Sequence, residues 1–241
     1  MAENTLIEWT EATWNPITGC TKISRGCQHC YAERMAYRLA GRYGYPADEP
    51  FKITLHPQRL GQPLKWKKPH VIFVCSMSDL FHKDVPDSFI FEILNVIRQA
   101  PQHIFQILTK RSARMLKISQ QIGEWLPNVW LGITVEAEEY KKRIDNLRKI
   151  NCSVRFISCE PLLEDLGEIN FDGIDWVIVG GESGPKSRIM RTKWAVNIRD
   201  QCLHHNVAYF FKQWGGMNKK AAGRRLEGKE WNQFPKTIRV L

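Results

Sequence analysis

The feature that most constrains the fold is a regular alternation of short apolar runs with longer amphipathic segments. Six runs of β-branched, aromatic or aliphatic residues occur along the chain, at residues 71–79, 103–111, 128–136, 153–161, 175–183 and 207–215. Each run has the continuous apolar character of a parallel strand that is buried on both faces. Helical patterns lie between most of them, at residues 86–100, 110–125, 136–150 and 193–206. This alternation of strands and helices predicts a parallel α/β sheet.

The number of strands favours a barrel over an open sheet. A short apolar piece before Cys20 and a further candidate at residues 53–55 bring the total to seven or eight strands. We therefore predict a TIM-like (β/α) barrel, complete or partial, over residues 1–215. Residues 216–241 form a basic C-terminal extension with a glycine between two short runs, which we interpret as a hairpin or lid packed on the barrel.

The length and the apolar content limit the class of protein. The chain has 241 residues, enough for one large domain with a substantial buried core. No apolar run approaches the roughly 18 residues of a membrane-spanning helix. The acidic N-terminal segment also lacks the basic-then-apolar layout of a signal peptide. We therefore expect a cytoplasmic protein with no membrane partner and with reduced cysteines.

The charge of the chain points to a polyanionic partner. The formal net charge is +10, which favours contact with DNA or RNA over contact with other macromolecules. Residues 41–70 predict a long irregular connection in which cations surround Trp66, a combination suited to phosphate contact and base stacking. Simple surface solvation around a tryptophan anchor is the alternative interpretation of this segment. The basic tail has the same two interpretations, contact with phosphates or simple solvation.

Three of the seven cysteines are clustered within eleven residues, at Cys20, Cys27 and Cys30. Thiolates are soft ligands, so a cysteine cluster in a chain that is not secreted indicates a metal site. A closed structural zinc site needs four protein ligands. A 4Fe–4S cluster can instead be held by three cysteines, which leaves one iron open to another ligand. The number of cysteines therefore favours an iron–sulfur cluster.

Two resemblances rest on particular residues. The segment Cys27-Gln28-His29-Cys30 resembles the second half of the radical S-adenosylmethionine (SAM) signature, Cys-x3-Cys-x-(aromatic)-Cys, although the first gap holds six residues instead of three. Over nearly its full length the chain also resembles a phage-associated three-cysteine protein family, with SMSDLF, LTKR, EPLL, GGESG and FFKQWG in the same order. The radical SAM resemblance implies a 4Fe–4S cluster on the three cysteines and SAM bound at the open iron. It also implies an electron donor and cleavage of SAM to a 5′-deoxyadenosyl radical.

Polar side chains follow strand after strand of the predicted barrel. Active sites of (β/α) barrels lie at the C-terminal ends of the strands, so these residues are candidates for the site. The candidates for cofactor binding are Ser76, Ser78, Asp79, Thr134, Glu136, Gly180, Gly181 and Glu182. The candidates for catalysis are Lys110, Glu160 and Lys212. Any single one could equally be a helix cap, and it is the succession of strand ends that indicates a functional site.

The tripeptide Gly180-Gly181-Glu182 resembles the Gly-Gly-Glu that radical SAM enzymes use to hold the amino group of the SAM methionine. In those enzymes it lies near the second strand, whereas here it follows the sixth or seventh. Residues 76–79 occupy the position where the methionine-binding group is expected if residues 53–55 are not a barrel strand. We expect both groups to line the cavity and leave the division of roles between them open.

The predicted function is that of a radical SAM-like enzyme, with modification or repair of DNA or RNA as the leading substrate class. The alternative is a non-enzymatic nucleic-acid-binding protein that contains zinc or an iron–sulfur cluster. Its zinc site would need a fourth ligand, either His29 or a distant cysteine. A third hypothesis is a cluster used only for electron transfer, which predicts no binding of SAM.

Overall fold

A computed structural model describes residues 5–236 of the chain. The strands, in chain order, are β1 (Ala12–Trp14), β2 (Ile17–Thr18), β3 (Thr54–Leu55), β4 (Val71–Val74), β5 (Ile104–Thr109), β6 (Val129–Thr134), β7 (Val154–Cys159), β8 (Trp176–Gly180), β9 (Ala208–Gln213), β10 (Arg225–Leu226) and β11 (Lys229–Glu230). The helices are α1 (Tyr31–Arg38), α2 (Asp87–Arg98), α3 (Ser112–Ile122), α4 (Lys142–Arg148), α5 (Thr192–His204) and α6 (Lys219–Ala222). Among these helices, none is both long and apolar enough to cross a bilayer.

The central sheet contains seven parallel strands that lie side by side in the order in which the chain makes them. The order is β1-β4-β5-β6-β7-β8-β9, and each neighbouring pair is parallel. Because the strands are parallel, all their C-terminal ends lie along one edge of the sheet. The prediction of a parallel α/β sheet is therefore confirmed.

The sheet curls into an open half-barrel. The indole of Trp9 lies 4.7 Å from the ring of Phe73 on β4 and 6.3 Å from the ring of Trp176 on β8. In a flat sheet, four strand spacings would separate β4 from β8 by roughly 19 Å. One indole can contact both rings only if the sheet bends around it. The first and last strands, β1 and β9, do not pair with each other in the described sheet, so the barrel is partial and not complete.

The two faces of the sheet carry different cores. The inner face holds an aromatic cluster around Trp9, made mainly of Trp130, Phe156, Trp176 and Phe210. The outer face is covered by the helices and forms the larger core, in which alternate residues of the strands pack against the apolar faces of α2 to α5. Burial on both faces explains the continuous apolar runs of the sequence.

The structure corrects two of the predicted boundaries. The apolar piece before Cys20 supplies β2, which pairs with β3 in a separate antiparallel ribbon, and the first strand of the sheet is β1 instead. The helix predicted over residues 136–150 is confined to α4, after a 3-10 turn at Glu138–Tyr140. Glu136 is buried and bonds Ser24 as well as Arg143 of α4, and the extended backbone at Ala137 (φ −153°, ψ 163°) delays the start of the helix.

The C-terminal segment lies along the free edge of β9. The strands β10 and β11 form a short antiparallel hairpin. The residues that follow bond to β9, where Phe211 N donates to Trp231 O at 2.9 Å and Gln233 N donates to Tyr209 O at 3.1 Å. A covered edge cannot pair with another chain, which is the usual hazard of an open sheet.

Candidate functional site

The three clustered cysteines lie on one loop, residues 19–30, which we call the cysteine loop. Its cysteines are free and partly exposed: Cys20, Cys27 and Cys30. At its start, Gly19 N donates to Met77 O at 3.0 Å and Ser78 Oγ donates to Gly19 O at 2.6 Å. The φ angle of Gly19 is +85°, a conformation that favours glycine. These contacts fix the loop at the C-terminal edge of the sheet, next to the end of β4.

The carboxylate of Asp79, buried beyond β4, holds a cation against the first cysteine. Its Oδ1 accepts a hydrogen bond from Thr109 Oγ1 at 2.7 Å, and its Oδ2 accepts one from Arg111 Nη1 at 2.8 Å. The same guanidinium donates to Cys20 Sγ at 3.5 Å and to the Thr21 carbonyl oxygen at 2.9 Å. Both oxygens of Asp79 are therefore engaged within the protein.

A second buried carboxylate, Glu136 beyond β6, holds the middle of the cysteine loop. Ser24 Oγ donates to Glu136 Oε1, and Arg143 Nη1 donates to Glu136 Oε2 at 2.8 Å. A Cβ at Gly26 would lie 2.9 Å from Glu136 Cγ, so the loop approaches this carboxylate as closely as glycine allows. Arg143 also donates to the Thr134 carbonyl oxygen at 2.7 Å. Glu136 thus anchors the loop.

A third buried carboxylate, Glu182 beyond β8, holds the last part of the loop. Its Oε2 accepts from His29 Nδ1 at 3.0 Å, and its Oε1 accepts from Arg188 Nη2 at 2.5 Å. Burial by itself would raise the pKa of Glu182, but the hydrogen bonds from Arg188 and His29 lower the pKa to about 2. Arg188 also donates to the Arg25 carbonyl oxygen at 3.0 Å, which ties the same cation to the cysteine loop.

The two glycines before Glu182 allow β8 to approach its neighbours closely. A Cβ at Gly181 would overlap the Trp214 carbonyl oxygen. A Cβ at Gly180 would lie 2.9 Å from Glu160 Oε1. The glycines of the Gly-Gly-Glu tripeptide therefore have a packing role at this edge of the sheet.

The catalytic candidates Glu160 and Lys212 form an ion pair on the inner side of the edge. Lys212 Nζ lies 2.8 Å from Glu160 Oε1, and Ser158 Oγ donates to Glu160 Oε2 at 3.0 Å. Burial alone would lower the pKa of Lys212, but the Glu160 carboxylate outweighs it, and the pKa is raised. Lys212 is therefore positively charged at neutral pH. It is suited to binding an anionic group, not to accepting a proton.

The other predicted residues lie along the same edge. Ser76 exchanges hydrogen bonds with the Asn15 side chain, and Thr134 is buried at the end of β6. Lys110 follows β5 with its backbone N donating to Asp79 Oδ2 at 3.2 Å, and its side chain faces a cleft beside α3. The structure thus brings every strand-end candidate to one edge of the sheet. Three of the candidates anchor the cysteine loop: Asp79, Glu136 and Glu182. Glu160 and Lys212 form an ion pair, and Lys110 lines a separate cleft.

The donor atoms of the cysteine loop suit an iron–sulfur cluster by their chemistry. Among residues 5–236, no three or more His, Cys, Asp or Glu side chains are grouped so as to hold one metal ion. The cysteines of a 4Fe–4S cluster bind different irons, and the sulfurs need not converge on one point. Burial and Asp79 raise the pKa of Cys20 to about 11, so its thiol must lose a proton when it becomes a ligand.

Three arginines complete the site: Arg111, Arg143 and Arg188. Sequence reasoning placed Arg111 at a strand end without assigning it a role, and it did not identify the other two. The signal for Arg111 is its position directly after Lys110 at the end of β5. Arg143 is within α4, and Arg188 is in the irregular segment before α5. Nothing local distinguishes these two from solvated surface cations.

Comparison with known proteins identifies a family for this chain. One family model, described as "Protein of unknown function (DUF5131)", matches residues 4–235. No curated protein and no solved structure matches the chain. The matched region contains the cysteine loop, all seven strands of the half-barrel and the C-terminal hairpin. Because the match covers nearly the whole sequence, the chain belongs to the DUF5131 family.

Proposed function

We propose that this protein is a radical SAM-like enzyme that acts on DNA or RNA. The observation that carries the proposal is the position of three free cysteines on one loop, fixed at the C-terminal edge of a parallel half-barrel. Active sites of (β/α) folds lie at this edge. When bound there, a 4Fe–4S cluster would supply the electron that cleaves SAM to a 5′-deoxyadenosyl radical.

The three cysteines would hold the cluster, and the anchoring carboxylates would hold the cysteines. Glu136 and Glu182 each accept one hydrogen bond from the cysteine loop and one from an arginine. Asp79 is connected to the loop through Arg111. A rigid loop keeps metal ligands at fixed positions, and such supporting contacts commonly affect metal affinity as strongly as 10- to 100-fold. We assign these carboxylates to positioning of the loop in preference to direct contact with SAM.

The ion pair of Lys212 and Glu160 is the group we assign to the bound substrate or to SAM. Lys212 is charged and has two further N–H donors besides the one that faces Glu160. Ser158 fixes the other Glu160 oxygen. The pair therefore presents a positioned cation and a positioned carboxylate at the inner side of the edge. The electron would come from an external donor, and the partial exposure of the cysteines supports its access.

The alternative of a structural zinc site lacks support for a fourth ligand. His29, which lies between the last two cysteines, uses its Nδ1 to bond Glu182. Among residues 5–236, none of the remaining cysteines is grouped with two other His, Cys, Asp or Glu side chains so as to hold one metal ion: Cys75, Cys152, Cys159 and Cys202. Of these, Cys75, Cys159 and Cys202 are buried. The donor set of the described residues therefore favours the cluster.

Anaerobic reconstitution with iron and sulfide tests the proposal. We expect about four irons per chain, and production of 5′-deoxyadenosine when SAM and a strong reductant are added. The Cys20→Ala/Cys27→Ala/Cys30→Ala variant should bind no cluster. Cys152→Ala is the matched control, since Cys152 is also partly exposed but lies outside the loop. One zinc per chain with no iron would exclude the proposal, and a cluster without 5′-deoxyadenosine would indicate electron transfer alone.

A further inference from the structure

A cleft of about 430 Å³ lies between the starts of α3 and α4, beside the cysteine loop. Its volume is within the range of roughly 300–1,000 Å³ typical of ligand sites. The residues that give it its chemical character are Lys110, Arg111, Lys142, Arg143, Asp145 and Asn146. Four of these six side chains are cationic, and one is acidic.

The charges that line the cleft do not cancel. Arg111 is paired with Asp79 at 2.8 Å and Arg143 with Glu136 at 2.8 Å. The one acidic lining residue, Asp145, is paired with Arg148 at 2.7 Å. Within residues 5–236, the ammonium groups of Lys110 and Lys142 form no ion pair. The cleft therefore carries two positive charges in excess of its internal partners.

We propose that this cleft binds a phosphate group of the nucleic-acid substrate. Two uncompensated lysines attract a polyanion, and the two arginines present planar donors at fixed positions because their carboxylate partners orient them. Asn146 is held at 3.0 Å by Ser112 and adds a neutral polar group at the wall of the cleft. This inference rests on the proposed function for its choice of nucleic acid, whereas the charge of the cleft is independent of it.

The position of the cleft relates it to the cysteine loop. Arg111 lines the cleft and also donates to Cys20 Sγ at 3.5 Å. Arg143 lines it from the other side and bonds Glu136, which accepts a hydrogen bond from Ser24 of the loop. A phosphate in the cleft would thus be one side chain away from the loop through Arg111 and two side chains away through Arg143 and Glu136. A nucleic acid held there would pass next to the cysteines.

Binding of fluorescent oligonucleotides to the full-length chain tests the assignment. Single-stranded DNA and RNA oligomers of equal length, and separately a nucleoside triphosphate, are titrated at several salt concentrations. The test variant is Lys110→Gln/Lys142→Gln. The matched control is Lys117→Gln/Lys149→Gln, which removes the same charge from exposed positions of α3 and the end of α4 outside the cleft.

We expect the test variant to bind an oligonucleotide about tenfold more weakly than the wild type, and the slope of log K against log[salt] to fall by about 1–2. The control should keep both values near those of the wild type. If the test variant loses affinity for oligonucleotides alone, the cleft binds the backbone phosphodiester. If it also loses affinity for the triphosphate, the cleft binds a terminal phosphate. Equal affinities of the test and control variants for every ligand would overturn the proposal.

The same titrations separate this inference from the enzymatic one. Binding is read as polarisation of the labelled oligonucleotide, so it requires neither the cluster nor SAM. If the Cys20→Ala/Cys27→Ala/Cys30→Ala variant binds oligonucleotides as the wild type does, the assignment of the cleft to phosphate binding holds even if reconstitution yields no cluster. Conversely, if the enzyme is active but the two lysine variants bind oligonucleotides equally well, only the assignment of the cleft to phosphate binding is refuted.

Discussion

Three buried carboxylates, each following a different strand, are the residues that fix the cysteine loop: Asp79, Glu136 and Glu182. A buried carboxylate is costly unless it is paired and hydrogen-bonded, and each of these has an arginine partner. Removal of one member of a fully buried pair costs about 3–5 kcal/mol, because the other charge is left without compensation. Arg188 is 30% exposed, so water compensates part of that cost for the pair with Glu182.

For the Glu182→Gln variant we expect the free energy of unfolding to fall by about 2 kcal/mol, because Arg188 and His29 lose a charged acceptor. This corresponds to a melting temperature lower by about 4–8 °C, measured by calorimetry. The control is Glu164→Gln, which breaks the exposed Arg25–Glu164 pair and should cost no more than about 1 kcal/mol. Equal losses in the two variants would contradict the anchoring role of Glu182.

The depressed pKa of Glu182 also predicts a pH dependence of stability. Its pKa is about 2 in the folded chain and 4.5 as the ordinary value, so the unfolded state binds the proton first as pH falls. The stabilisation is complete above about pH 4.5 and is lost between about pH 4.5 and 2. Over that interval, the wild type should lose up to about 3 kcal/mol more than Glu182→Gln, as measured by urea unfolding. Parallel curves for the two proteins would refute the assignment.

The sequence predicted which polar residues lie at the C-terminal edge of the sheet but not what they contact. Polar residues at strand ends can be recognised because the apolar run stops there. Their partners cannot, because His29 and Glu182 are separated by 153 positions and Ser24 and Glu136 by 112. Only the order of strands in the folded sheet brings these residues together. Glu136 and Glu182, predicted to bind SAM, are bonded to Arg143 and Arg188, which no local pattern distinguished.

At the level of elements, the prediction succeeded where burial on both faces produces a long apolar run. The six runs correspond to β4 to β9. The first sheet strand was not identified because β1 has three residues and no run of its own, while the apolar residues of β2 serve a separate ribbon. The late start of α4 could not be foreseen either, since the extended backbone at Ala137 accompanies the bond between Glu136 and Ser24, a residue 112 positions earlier.

The contact between β8 and β9 yields a steric prediction. In Gly181→Ala the new Cβ would overlap the Trp214 carbonyl oxygen, which is backbone and cannot rotate away. We expect a loss of about 3 kcal/mol or more in the free energy of unfolding, measured by urea titration. Gly61→Ala is the control, because a Cβ there meets no atom within 4 Å. A Gly181→Ala protein as stable as the control would show that the strands can separate at no cost.

At the scale of the whole molecule, the open half-barrel is filled from one side by an N-terminal residue. Trp9 is 2% exposed and contacts rings of β4, β7 and β8. Sequence reasoning could predict the parallel sheet and its approximate strand number. It could not predict whether the barrel closes, because closure depends on whether β1 pairs with β9 or other groups fill the space between them.

Removal of the indole should therefore destabilise the fold as a whole. For Trp9→Ala we expect a loss of about 3–5 kcal/mol, since a buried aromatic is replaced by a cavity. Trp194→Ala is the control, because Trp194 is only partly buried at the start of α5 and its loss should cost less. Thermal unfolding followed by near-ultraviolet circular dichroism measures both. A Trp9→Ala variant no less stable than the control would exclude the filling role of Trp9.

The separation of the cysteine loop from its anchors has a consequence for how the protein is made. The three thiols are translated before all three of their anchors, and Glu182 follows His29 by 153 positions. At a translation rate of about 5–20 residues per second, the thiols wait roughly 8–30 seconds for that anchor. Throughout this interval they are tethered to a growing chain without a folded support. A nascent chain that stops before residue 182 therefore lacks both Glu182 and Arg188, and the last part of its cysteine loop has no anchor.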